Sequence, residues 1–175
     1  PFKRNGTTYD PGLRPEHIEN PTFVLLGGSR GEPLHNEVFN CGGDGFRGGD
    51  QNLEGFEIGW NDFYLTSAVY SDCGGKLTPT GSCACAENAL DLVGDSAGTN
   101  VVNIHDNLFR GYRERDTVCG GNSGSGSAIV FNGTITRYLL ENNVFFDNES
   151  NIQHTANTTR RSTLINNLFY IDESI

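Results

Sequence analysis

An all-β solenoid is the fold class this sequence predicts, on three observations: a repeated six-residue block, alternation of apolar and polar residues inside it, and a turn-rich composition. The block occurs five times, as LHNEVF ending at Phe39, IGWNDF at Phe63, IHDNLF at Phe109, LENNVF at Phe145 and LINNLF at Phe169. Five positions before each Phe stands an aliphatic residue, Leu34, Ile58, Ile104, Leu140 and Leu164. In the last four copies an Asn stands two positions before the Phe, at Asn61, Asn107, Asn143 and Asn167, whereas the first copy has Glu37 there. The Phe residues are 24, 46, 36 and 24 apart. The unit is therefore close to 24 residues, the longer intervals carry insertions, and a period in this range marks a solenoid.

The blocks read as strands because they alternate over four to six residues, where a helix would need apolar residues at i, i+3, i+4 and i+7. Each coil opens with the aliphatic strand. The recurrent Asn follows at a sharp corner, where Asn tolerates the left-handed backbone conformation and stacked amides can bond from coil to coil. The Phe strand comes next. A third apolar piece completes the coil, at Gly45-Phe46-Arg47, Ala89 to Leu92, Ala128 to Phe131 and Ile152-Gln153-His154. Residues 1–33 are rich in turn residues and hold one apolar run, Phe23 to Leu26, which reads as an incomplete first coil. Residues 34–175 form the coils, with long loops at 64–87 and 110–127. Twenty-three Gly and six Pro in 175 residues suit one domain of many turns around a narrow core.

From Leu34 to Phe169 this pattern resembles the right-handed parallel β-helix proteins of the pectate lyase-like superfamily, whose coils run strand, Asn corner, strand, long loop, strand. The resemblance implies a right-handed parallel β-helix with three-strand coils. It implies chemistry only loosely, because the architecture hosts lyases, hydrolases, epimerases, phage spikes and adhesins. The chain begins with Pro and holds no Met. That reads as a mature or excised piece with at least one uncapped end, which further coils or another subunit would cover end to end. No run of 18 apolar residues predicts a membrane span.

All five cysteines lie between a Phe strand and the strand after it, a segment that stacks on one side of a solenoid. Cys41 and Cys85 each precede an inward residue by five, and Cys73 and Cys119 each follow a repeat Phe by ten. Pairing of Cys41 with Cys85 and of Cys73 with Cys119 is expected, leaving Cys83. A closed Cys73 to Cys83 loop is the alternative, since connectivity does not follow from sequence. Disulfides in exposed loops imply an oxidising compartment and a secreted or surface protein. A structural zinc site is the rival reading, and Cys-x-Cys spacing fits it poorly. Sequons begin at Asn5, Asn132, Asn148 and Asn157 and would suit a secreted glycoprotein.

The two long loops should wall a groove beside the third strands, and loops on a rigid scaffold commonly carry function. Such a groove, parallel to the axis, suits an extended polymer. In the proteins this chain resembles, that polymer is a polysaccharide. Alternation points Arg47, Asp91 and Gln153 outward, with Asp44, Asp50, Asp72, Glu87 and Asp95 at loop boundaries on the same side. Clustered carboxylates suit calcium, and Asp91, Glu87 and Asp44 are the expected ligands. The resemblance makes Asp91 a metal ligand or catalytic acid, although the doubled Asp of such enzymes is missing. A lyase needs a base and positive charge for the developing enolate, for which Arg110, Tyr112, Arg113 and Arg115 are candidates. Lys76 and His154 are further possibilities, Lys76 as a substrate contact. A hydrolase would instead use Asp44, Glu87 and Asp91.

A net charge of -10, from 12 Lys and Arg against 22 Asp and Glu, argues against nucleic acid. It also opposes a bare polyanion, a conflict that calcium would resolve by inverting the local field. The second class of function is a non-catalytic β-helix, an adhesin, spike or stacking unit that binds glycan or protein.

Overall fold

The computed structural model describes residues 3–4, 7–8, 24–25, 33–39, 44–48, 55–65, 88–94, 101–112, 126–133, 137–155 and 161–171. Two short strands, β1 (Lys3–Arg4) and β2 (Thr7–Thr8), pair antiparallel. The strands that follow are β3 (Val24–Leu25), β4 (Glu37–Phe39), β5 (Phe46–Gly48), β6 (Glu57–Gly59) and β7 (Asp62–Tyr64). Then come β8 (Leu90–Gly94), β9 (Val102–His105), β10 (Leu108–Arg110), β11 (Ser127–Gly133) and β12 (Arg137–Glu141). The last four are β13 (Val144–Phe146), β14 (Ser150–His154), β15 (Arg161–Ile165) and β16 (Leu168–Tyr170).

Among the described residues these strands stack into three parallel sheets. The aliphatic sheet runs β6-β9-β12-β15, the Phe sheet β4-β7-β10-β13-β16, and the third sheet β3-β5-β8-β11-β14. Strands adjacent in a sheet are one full coil apart in sequence, which makes the molecule a right-handed parallel β-helix with three strands per coil. No described helix is long and apolar enough to cross a membrane.

The core is a set of rungs. Phe63, Phe109, Phe145 and Phe169 are register partners, and their rings stack 5.2, 5.1 and 4.9 Å apart with planes within 15° of parallel. Ile58, Ile104, Leu140 and Leu164 form the second rung column, and Phe46, Leu90, Ile129 and Ile152 the third. The column positions ahead of the last coil, apart from the partly buried Ile152, are almost sealed from water, each worth about 1.5–3 kcal/mol of hydrophobic transfer. In the last coil they are not: Leu164 is 48% and Phe169 45% exposed, against 0% for Leu140 and Phe145 one coil earlier.

Beside the Phe column runs a ladder of amides. The backbone N and Nδ2 of Asn61 both donate to Oδ1 of Asn107, at 3.0 and 2.9 Å, and Asn107 repeats this on Asn143 and Asn143 on Asn167. The remaining Nδ2 hydrogen of Asn107 reaches Ile58 O at 2.9 Å, with equivalent bonds from Asn61, Asn143 and Asn167 to Pro33, Ile104 and Leu140. Ahead of the half-exposed Asn167 these groups are buried away from water, so the ladder satisfies what a tight corner would otherwise strand.

Two sequence expectations need correction here. The first block sits one residue out of the expected register: Val38, not Phe39, pairs with Phe63, and Asn36, not Glu37, joins the ladder through Asn61 Oδ1. A one-residue shift exchanges the two faces of a strand, so Phe39 lies outside and stacks on Tyr64 at 5.1 Å. The left-handed corner residue is also not the ladder Asn but the one before it, at His35, Trp60, Asp106, Asn142 and Asn166, with φ between 52° and 56°.

Candidate functional site

The outer face of the third sheet carries the acidic set. Arg47, Asp91, Val130 and Gln153 are register partners on four successive strands, alternating with core residues Phe46, Leu90, Leu92, Ile129 and Phe131. Asp91 turns away from the core yet is only 6% exposed, and Asp44, at the start of the coil before it, is 1% exposed. Asp44 is among the neighbours that act on the Asp91 carboxyl.

Neighbours fix this pair in place. Asn88 Nδ2 donates to Asp44 Oδ1 at 3.0 Å, and Asn132 Nδ2 donates to Asp91 Oδ1. The Arg47 guanidinium stands at 3.7 Å from Asp91 Oδ2 with 45% of its side chain exposed, leaving it toward solvent. Burial is the largest influence on Asp91 and pushes its carboxyl above the ordinary 3.8, against the pull of Asn132, Arg47 and Asp44. Gln153 Oε1 accepts from Ser127 Oγ at 2.8 Å on the adjacent strand, three residues before its register partner Val130.

The basic set does not assemble around Asp91. Arg110 stands on the outer face of the Phe sheet, where it forks onto Asp62 at 3.0 and 3.3 Å and lies 4.1 Å over the Tyr64 ring. Burial and the hydrogen bond to Glu37 push Tyr64 up to about 12, so this cluster holds its charges fixed. Tyr112, expected beside the groove, is instead 0% exposed inside the core, because the chain turns inward after Gly111. His154 packs on Phe131 and Tyr138. Glu87, Lys76, Arg113, Arg115 and all five cysteines, with the expected Cys41–Cys85 and Cys73–Cys119 bridges, lie outside the described residues, as do Asp50, Asp72 and Asp95.

No three described His, Cys, Asp or Glu residues converge as metal ligands. Asp44 and Asp91 supply two carboxylates where calcium takes six to eight oxygens, so the described part of the acidic set does not by itself complete a calcium site. Of the sequons, Asn148 is folded inside: its Nδ2 donates to Phe109 O at 3.1 Å and its Oδ1 accepts from Tyr112 N at 3.0 Å. A glycan on that nitrogen is incompatible with these bonds.

Sequence reading missed a second cluster, on the aliphatic sheet. His105 Nε2 meets Glu57 Oε1 at 2.8 Å and Nδ1 meets Asp106 Oδ2 at 2.9 Å. Only the imidazolium has two donors for two acceptors. The ring lies across Gly59, where a Cβ would come within 2.5 Å of it, and its edge meets Trp60. Glu141 is its register partner on β12, and His35 stacks on the far side of Trp60.

Burial opposes the charged ring, but the bonds to Asp106 and Glu57 outweigh it and raise His105 above its ordinary 6.5. A group protonated more tightly when folded adds stability that is complete below its unfolded value and lost as pH rises through the folded one. The melting temperature is therefore expected to fall as pH is raised from below 6.5 into the alkaline range, and His105→Gln to flatten that slope in calorimetry. No family model matches the chain, and comparisons with curated proteins and with solved structures also find no match.

Proposed function

We propose that this is a secreted, carbohydrate-active β-helix that hydrolyses an extended polysaccharide lying along the outer face of the third sheet. The observation that carries the reading is the buried Asp91 carboxyl, pushed up by burial, next to the exposed Arg47 and with the buried Asp44 in the coil before it. Glycoside cleavage needs an acid to protonate the leaving oxygen. Asp91, its carboxyl raised by burial, is assigned as that acid. Glu87, next to Asn88 in the chain, is the carboxylate assigned to activate water. Arg47 and Gln153 are assigned to hold the polymer. Elimination is the weaker reading, since Arg110 and Tyr112 stand away from this face. Calcium is an ion this acidic face would attract, and the cleavage step as drawn does not pass through it.

A non-catalytic glycan- or protein-binding β-helix is the second reading, favoured by one observation: Asp91 is almost closed to solvent. Incubation with neutral and uronate polysaccharides, with and without calcium, separates them. Hydrolysis releases reducing ends without the ultraviolet absorbance of an unsaturated uronate end. Asp91→Asn is expected to lower that release by about 10²-fold or more. No cleavage of any polymer, with a melting temperature unmoved by calcium, would leave the binding reading.

A further inference from the structure

The corner between the aliphatic and Phe sheets, opposite the third sheet, bears an open groove of ≈ 580 Å³. It crosses four successive corners, marked by His35, Trp60, Asp106 and Asn142, with Leu108 and Val144 along its wall. At the ordinary strand spacing these corners span about 14 Å along the axis.

The residue types at these corners are the anomaly. Each takes a left-handed conformation, which Asn, Asp and to a lesser degree His tolerate and bulky side chains resist. Asp106, Asn142 and Asn166 follow that preference, and His35 is permitted by it. Trp60 does not follow it: it holds φ 54° with 46% of its surface exposed, gaining little burial in return. Its ring is not loose, since His35 stacks on it at 5.1 Å with planes 9° apart and the His105 ring meets it edge-on at 4.5 Å. A strained, exposed and rigidly braced aromatic at the mouth of a groove is the mark of a ligand platform rather than of a fold requirement.

We propose that this groove binds a neutral saccharide chain, laid along the axis with an apolar sugar face against Trp60, Leu108 and Val144 and its hydroxyls toward the polar wall. Charge excludes the uronates. The wall carries the carboxylates of Glu37, Asp62 and Asp106, the last two paired with Arg110 and His105, and among the described residues no Lys or Arg lines it. A rigid ring braced before binding loses little freedom when the ligand arrives. The proposal does not rest on the hydrolytic reading, because cleavage and groove binding are read on opposite sides of the coil by different signals.

Trp60 is the only Trp in the chain, so intrinsic emission reports on this groove alone. Titration with gluco-, xylo- and manno-hexasaccharides is expected to give a saturable blue shift with at least one of them, and none with a galacturonate hexamer. Trp60→Asn reproduces the Asn-Asn corner already present at Asn142 and Asn166. It is expected to keep the far-ultraviolet circular dichroism and an equal or higher melting temperature, while calorimetric affinity for the same hexasaccharide falls at least tenfold. No shift with any neutral hexamer overturns the proposal. So does unchanged affinity in a folded Trp60→Asn, or equal binding of the galacturonate hexamer.

Discussion

Asn107→Ala is expected to cost about 2–3 kcal/mol of stability, because it strands the Asn61 N–H at a dry corner and removes the buried amide bonds around it. Asn107 is 2% exposed. Its Oδ1 accepts from the backbone N and Nδ2 of Asn61, and its Nδ2 donates to Ile58 O and Asn143 Oδ1. Removal leaves the Asn61 N–H unsatisfied, at about 1–3 kcal/mol, whereas the Ile58 carbonyl lies in the β6–β9 ladder opposite the His105 N–H, Asn61 Nδ2 keeps Pro33 O and Asn143 Oδ1 keeps the Asn107 N–H. Against a typical total of about 5–15 kcal/mol this is a large loss. Asn167→Ala makes the comparison: the same residue at the ladder's half-exposed last position should cost about 1 kcal/mol, since water can take over its bonds. Urea unfolding of the two variants checks the difference, and equal losses would show that the ladder acts through corner shape rather than through buried bonds.

Phe109→Ala is expected to cost about 3–5 kcal/mol through the void it leaves between Phe63 and Phe145. No neighbour can collapse into that space without leaving its own rung, because each ring is held by the strand above and below. Phe169→Ala should cost about 1 kcal/mol, since the ring it removes is already 45% exposed and is braced on one face by Phe145. The pair of measurements separates what a ring gains by stacking on both sides from what it gains by stacking on one.

The rungs and the Asn ladder were legible in the sequence because each recurs in a fixed relation to the other, and stacking forces register partners to share a residue type. The first coil was misread where those two signals conflict. LHNEVF can be aligned by its Phe or by its Asn, and the structure follows the Asn, because Asn36 makes two directional bonds to Asn61 while Val38 fills an inward slot well enough. Arg47, Asp91, Val130 and Gln153 could be placed on one row because strand alternation is strict. The proximity of Asp44 to Asp91 depends on where a bend begins, which periodicity does not state. Arg110 directly follows an inward Phe, so its outward position on the Phe sheet was open to the same alternation argument. Tyr112 was not, since a Gly corner reverses the expected direction. The Trp60 groove left one trace, a bulky aromatic just before a ladder Asn where Asp or Asn stands in later copies.

Rungs hold their register although the chain between them grows from 25 residues to 46 and returns to 24. The excursions therefore lie outside the repeat's metric: a coil is measured by its three strands, and whatever chain departs between them returns to the same height. Such a scaffold can lengthen, shorten or exchange its surface decorations one storey at a time, and the floors above and below need not be rebuilt.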